Sequence, residues 1–130
     1  MPNQTGDWLP DMQSQYLSRA DKRLAELSDA LESFIVKPND CASELQLRQH
    51  IHNLIGSGGS FGFLGITEAA LALANSVKES RRQRRSLDDH TVNALRADME
   101  KVREAFGKAI AEQKLQGAGA GLGDPRTVGT

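Results

Sequence analysis

The residues of this 130-residue chain best placed for chemistry lie in His52-Asn53-Leu54-Ile55-Gly56-Ser57-Gly58-Gly59-Ser60-Phe61-Gly62-Phe63. A neutral imidazole is a good nucleophile, and a reference pKa of about 6.5 leaves it mostly neutral near pH 7. It can accept a phosphoryl group and give it up again. One helical turn further on, Gly56, Gly58 and Gly59 interrupt what otherwise reads as a helix. Each interior glycine costs roughly 1 kcal/mol against alanine, in domains whose whole stability is about 5–15 kcal/mol. A loss of that size implies that bare backbone is needed close to His52.

Helical geometry sorts these residues by face. Take about 100° per residue and centre the core stripe among Ile51, Leu54 and Gly58. His52 then falls about 140° from that centre, Gly56 about 180°, Gly59 about 120° and Ser60 about 140°. These four share a solvent-facing strip, whereas Gly58 points inward and admits a partner helix. Helical side chains lean towards the N-terminus, which tilts the imidazole towards Arg48 and Gln49, donors for any anion it carries. The ordinary reading is a solvated histidine beside packing glycines. Packing accounts for Gly58 but not for Gly56, which faces away from the core. A helix surface has no pocket, so a partner must bring its own metal and acceptor carboxylate. A missing side chain at Gly56 lets that partner approach without a clash.

Long helices must position this strip, because 3.6-residue periodicity dominates and strand signals are nearly absent. Leu17, Ala20, Leu24, Leu27, Leu31 and Phe34 form one apolar stripe, predicting a helix over roughly 11–36. Pro38 breaks it, and Asn39 or Asp40 can cap the next helix, over about 41–61. Its stripe is Leu47, Ile51, Leu54, Gly58 and Phe61. Gly62 to Gly65 reads as a turn, with Thr67 as N-cap of a third helix over about 68–82. Ile66 is expected to staple on Leu71, and Ala70, Leu73, Ala74 and Val77 to face inward. Ser86 followed by Asp89 reads as the start of a fourth helix, with acidic Asp88 and Asp89 in its first turn, and its stripe is Val92, Leu95, Met99, Val102, Phe106 and Ala109 or Ile110. The fold class is therefore all-α: an antiparallel up-down four-helix bundle, with room for a short extra N-terminal helical segment. Residues 1–10 read as a leader, 11–115 as the bundle, and 116–130 as a flexible Gly-rich tail or linker.

Composition narrows the functional classes. Sixteen basic residues against seventeen acidic ones offer no global attraction to nucleic acid or to an anionic membrane. No apolar run approaches bilayer-spanning length, and Met1 to Pro10 lacks the basic and apolar regions of a signal peptide. A single cysteine, Cys41, fits a reducing cytoplasm. His50 lies on a different face from His52, and His90 and Cys41 add no metal-ligand spacing, so no metal site is expected. The glycines match no nucleotide-binding motif and follow no strand. Arg81, Arg82, Arg84 and Arg85 read as a solvated run at a helix C-terminus, able to steer an acidic partner.

His52-Asn53-Leu54-Ile55-Gly56-Ser57-Gly58, followed by Phe61-Gly62-Phe63, resembles the signature of histidine-containing phosphotransfer (HPt) domains. Those show His, any residue, Leu, often Lys, Gly and Ser, then an apolar-Gly pair nine and ten residues after the His. With the helix pattern, the resemblance spans about residues 11–113. It implies that His52 is the phosphoacceptor and that Gly56 gives access to a receiver domain whose aspartate exchanges the phosphoryl group. Ile55 stands where the family often has Lys, although some members lack it, and Ala74 where members often carry Glu or Gln. Arg48, Gln49, Asn75 or Lys78 are the candidate substitutes, and Ile55 can add apolar area for a docked receiver.

The expectation is a monomeric cytoplasmic phosphorelay protein, carrying a phosphoryl group on His52 between receiver-domain aspartates. Gly56, Ile55, Arg48, Gln49 and Gly59 form the surroundings and the access face. Its partners are response-regulator receiver domains, with a hybrid histidine kinase as a further one, and neither nucleic acid nor membrane. It needs no cofactor and no kinase activity of its own, and any Mg²⁺ belongs to the receiver. The alternative is a non-phosphorylated helical adaptor that binds receiver or kinase domains.

Overall fold

The computed structural model describes the backbone of residues 4–83 and 85–122, with side chains for 9–83 and 85–115. Among the described residues five α-helices follow one another: α1 (Gln4–Ser18), α2 (Ala20–Val36), α3 (Cys41–Ser60), α4 (Leu64–Ser80) and α5 (Asp89–Leu122), with a 3₁₀ turn at Arg81–Gln83. The described residues contain no strand. Helices α2 to α5 form the bundle, with α3 packed on α2 and α4, and α4 on α5. Its core is the predicted apolar stripes: Leu27, Leu31 and Phe34; Leu47, Ile51 and Leu54; Leu73 and Val77; Leu95, Met99, Val102 and Phe106.

The long N-terminal helix is interrupted. Arg19 leaves helical geometry (φ −100°, ψ 11°), and its N–H donates to the Tyr16 carbonyl three residues back. The break lets α1 lean over the end of the bundle. There the Tyr16 ring packs against Phe61, Phe63 and Phe106, with centroids 5.1, 5.8 and 5.9 Å away. The Tyr16 and Ser57 hydroxyls lie 2.8 Å apart, and Gln13 Nε2 donates to the Phe61 carbonyl at 2.8 Å. Periodicity alone concealed this break, because the apolar stripe runs through it in phase. Helix α1 also begins at Gln4, inside the stretch read as a leader, and contains Pro10.

Local signals set the other ends. Asp40 caps α3, its carboxylate accepting the Ser43 N–H at 3.1 Å and hydroxyl at 2.7 Å. Helix α3 ends in a Schellman turn. Phe63 N–H donates to the Gly58 carbonyl at 2.7 Å and Gly62 N–H to the Gly59 carbonyl at 3.2 Å. Gly62 takes φ +83°, a conformation a Cβ disfavours. The turn is so tight that α4 starts at Leu64, with Phe63 rather than Thr67 as its N-cap. Ile66 is consequently a core residue at 1% exposure and Leu71 remains 45% exposed, so the expected staple does not form. Helix α5 starts at Asp89 rather than near Ser86, because Asp88 lies outside the first turn and caps it, accepting the Thr91 N–H at 2.7 Å. That helix continues to Leu122, past the boundary drawn at 115, while residues 123–130 of the expected tail lie outside the described residues.

Polar links fasten the remaining faces. Arg96 donates to both Glu32 oxygens at 2.7 and 3.1 Å, joining α5 to α2, and these hydrogen bonds hold Glu32 below its ordinary pKa. Ser76 on α4 donates to Asp98 on α5. Asp40 is likewise held below its usual value, chiefly by the Ser43 hydroxyl and then by the Ser43 N–H. A lowered carboxylate contributes stability that is fully present above the unfolded-state pKa of about 3.9 and is lost as pH falls through the folded value. Asp40→Ala should therefore lower the melting temperature at pH 7. The gap from the wild type should close as pH falls through the lowered folded-state value, measured by circular dichroism melts from neutral into acid pH.

Candidate functional site

Helix α3 carries His52 outward from a buried stripe. Its neighbours Ile51 and Leu54 are 2% and 3% exposed, and this anchors the helix and leaves the imidazole on the solvent side. His52 lines an open groove of about 720 Å³ between α3 and α4. Arg48, Gln49 and Ile55 share the α3 side, while Asn75 and Lys78 reach it from α4. Ala74, half-buried, keeps the α4 wall low. Three of the residues predicted around the imidazole, Arg48, Gln49 and Ile55, are thus brought to its groove. Gly56 and Gly59 are exposed on α3 but do not line it.

The glycines divide as their faces require. A Cβ built on Gly56 meets nothing within 4 Å, so this residue leaves open space. A Cβ on Gly58 would sit 2.6 Å from Thr67 Oγ1 and 3.2 Å from both Phe63 O and Thr67 N. Gly58 is therefore where α3 and α4 meet backbone to backbone. Gly59 is intermediate, with Thr67 Oγ1 at an ordinary 3.8 Å. Thr67 seals this junction by donating its hydroxyl to the Ile55 carbonyl at 3.0 Å. The predicted cap of α4 is instead a cross-link to the helix that carries His52.

The electrostatics of the groove centre on Glu44. Its carboxylate accepts from Arg81 Nε at 3.0 Å and Arg81 Nη2 at 2.9 Å, tying the start of α3 to the end of α4. Arg48 lies 3.6 Å from the same oxygen, beyond hydrogen-bonding distance. Lys78 has no ion-pair partner among the described residues. Arg81 was read as part of a solvated run, yet it lines the groove with His52. The antiparallel pairing of Gly58 with Thr67 carries this information, because one register step per residue places position 81 opposite 44. Arg84 lies outside the described residues.

The other candidates stay apart. His50 is half-buried, and His90 and Cys41 are exposed elsewhere. Among the described residues no three His, Cys, Asp or Glu side chains gather to hold a metal ion, and no helix is long and apolar enough to cross a membrane.

A helical bundle presenting a lone imidazole beside cationic side chains, on an open groove rather than in an enclosed pocket, has the architecture of a group carrier. A model of the Hpt domain family matches residues 11–105, and the chain belongs to that family. Its function is of the phosphotransfer type, in two-component signalling; Hpt domains are phosphocarriers rather than enzymes and interact with receiver domains and kinases. No curated protein and no solved structure matches the chain.

The two glycines should respond oppositely to one methyl group. Gly56→Ala should stabilise the bundle by about 0.5–1 kcal/mol through helix propensity alone. Gly58→Ala should destabilise it by about 1–3 kcal/mol, because the Cβ overpacks against backbone that cannot retreat. Urea denaturation of both variants checks the sign and the size.

Proposed function

We propose that this chain is a phosphorelay intermediate that carries a phosphoryl group on His52 between the aspartates of receiver domains. The observation that carries the reading is the exposed imidazole on the α3–α4 groove, within a chain of the Hpt family. In the loading step an imidazole nitrogen attacks the phosphorus of an aspartyl phosphate. The N–P bond forms as the P–O bond to the carboxylate breaks, and the partner recovers its aspartate. The other ring nitrogen keeps its proton. Unloading is the same step reversed onto a second receiver. Any divalent cation is held by the receiver, and the chain acts as a cytoplasmic monomer without a cofactor or kinase activity of its own.

The residues divide the remaining work. Gly56 leaves the helix face bare one turn from the imidazole, where a receiver must come within bonding distance. Ile55, half-buried and packed on the core, adds apolar contact instead of the cation often found there. The charge on the phosphoryl oxygens is then met by Lys78 from α4 and by Arg48, which is held only loosely by Glu44. Gln49 and Asn75 offer neutral donors in the same groove.

Mixing the chain with phosphorylated receiver domains should produce acid-labile, alkali-stable protein phosphate, and His52→Ala should abolish it. A wild type left unlabelled by receivers that load another Hpt domain would instead favour a non-phosphorylated adaptor. Gly56→Gln should slow transfer at least ten-fold through steric exclusion while leaving the melting temperature near that of the wild type. Equal transfer rates would remove the access role of Gly56.

A further inference from the structure

The groove is electrically lopsided, and its basic end continues beyond the residues assigned to the phosphoryl group. Lys78, Arg81, Arg82 and Arg85 follow one another within eight positions at the end of α4 and its 3₁₀ turn. Lys78 and Arg81 line the groove of His52, while Arg82 and Arg85 are exposed directly after them. Acidic groups lie nearby, but their partners are other than Lys78, Arg82 and Arg85 wherever an ion pair or cap is formed among the described residues. Glu44 is committed to Arg81 and, less closely, to Arg48. Asp88 is engaged as the cap of α5, accepting the Thr91 N–H. Asp89 stands in the first turn of α5, and Glu79 is exposed on α4. Among the described residues Lys78, Arg82 and Arg85 have no ion-pair partner. The formal net charge of the chain is −1, so these unpaired cations do not reflect a generally basic protein.

We propose that Arg82 and Arg85, with Lys78, form an electrostatic landing surface for an acidic protein face surrounding the partner's phosphoryl-bearing carboxylate. The proposal rests on the relay reading of His52. The chemistry of the partner supplies the complementarity. A partner that exchanges phosphoryl groups through a carboxylate and holds a hard divalent cation needs further oxygen ligands, which carboxylates provide. Such a face is rich in negative charge, and a basic rim running on from the end of the imidazole's groove attracts and orients it before the reacting atoms meet. Oriented charge of this kind raises association rates by about 10–10³-fold and is screened by salt. Neither Arg82 nor Arg85 is needed for the chemical step itself, so their effect belongs to encounter.

The test is rapid-quench transfer from phosphorylated receiver domains to the full chain, under second-order conditions, at 0.05 and 0.5 M NaCl. The variants are Arg82→Glu/Arg85→Glu and a control, Lys108→Glu/Lys114→Glu. The control makes the same change in total charge at exposed positions on α5. The landing-surface variant should transfer at least ten-fold more slowly at low salt and come within about two-fold of the wild type at high salt. The control should stay within about two-fold of the wild type at both salt concentrations. Equal losses in the two variants would show a net-charge effect and overturn the proposal, as would wild-type rates in Arg82→Glu/Arg85→Glu. Salt-sensitive binding of the wild type to a fluorescent oligonucleotide, lost in that variant while transfer persists, would reassign the patch to nucleic acid. A wild type that accepts phosphoryl from no receiver would remove the relay reading and the landing surface together; melting curves confirm that each variant is folded.

Discussion

The structure depends on the close approach of α3 and α4 at Gly58. With no Cβ there, the backbone of α3 comes within van der Waals reach of Phe63 and Thr67 at the start of α4. The Schellman turn at Gly62 brings the chain back at once, and the Thr67 hydroxyl fastens the return to the Ile55 carbonyl. Once this junction is set, antiparallel geometry fixes every later pairing. Position 44 meets 81 at the far end, where Glu44 and Arg81 close the pair of helices with a second polar link. Between the two links, the groove holding His52 receives Asn75 and Lys78. The glycine that contributes no chemistry thus decides which side chains stand beside the imidazole.

Much of this was legible in the amino-acid order because helical period and side-chain size are local properties. The angular positions on α3 predicted that Gly58 faces inward and that His52, Gly56 and Gly59 face solvent, and they do. The apolar stripes of α2 to α5 predicted the core for the same reason. The interruption at Arg19 was not legible, since Leu17 and Ala20 stay in phase across it and only the aromatic cluster around Tyr16 requires the change of direction. Thr67 misled because its type suits a cap, whereas a tertiary acceptor, the Ile55 carbonyl, competed for its hydroxyl. Arg81 was hidden in a run of like charges, and only a partner 37 positions away, Glu44, distinguishes it. The continuation of α5 to Leu122 runs against the low helix propensity of Gly117, Gly119 and Gly121, which Ala118 and Ala120 between them only partly offset.

Rigidity and openness are separated along the chain. The aromatic cluster of Tyr16, Phe61, Phe63 and Phe106 stiffens the end of the bundle where α3 stops, and the Tyr16–Ser57 hydroxyl contact ties α1 to α3 one residue beyond Gly56. The imidazole itself lies on a face left exposed by the described residues. A carrier has to present one nucleophile in a fixed place to more than one partner. Packing beneath the helix achieves the first requirement without enclosing the site, which would defeat the second. This also explains why several glycines are tolerated in one helix: α3 draws its stability from tertiary contact at Leu47, Ile51 and Leu54 rather than from helix propensity.

The isoleucine at position 55 has a further physical consequence. A lysine there would lie on the same helix as His52, three residues away, and its charge would depend on α3 alone. In the proposed relay, cationic support comes in part from across the groove, through Lys78 on α4, and in part from Arg48, one turn before His52 and shared with Glu44. Charge stabilisation at His52 then becomes sensitive to the spacing of two helices. A side chain that closes the gap more tightly, or a partner that spreads it, changes the distance from Lys78 to the phosphoryl oxygens, and Coulomb energy varies with that distance. The Gly58 junction and the Glu44–Arg81 link, one at each end of the groove, help the core packing between them to hold this spacing constant. The same packing that makes the fold therefore sets the electrostatic environment in which the phosphoryl group is proposed to reside.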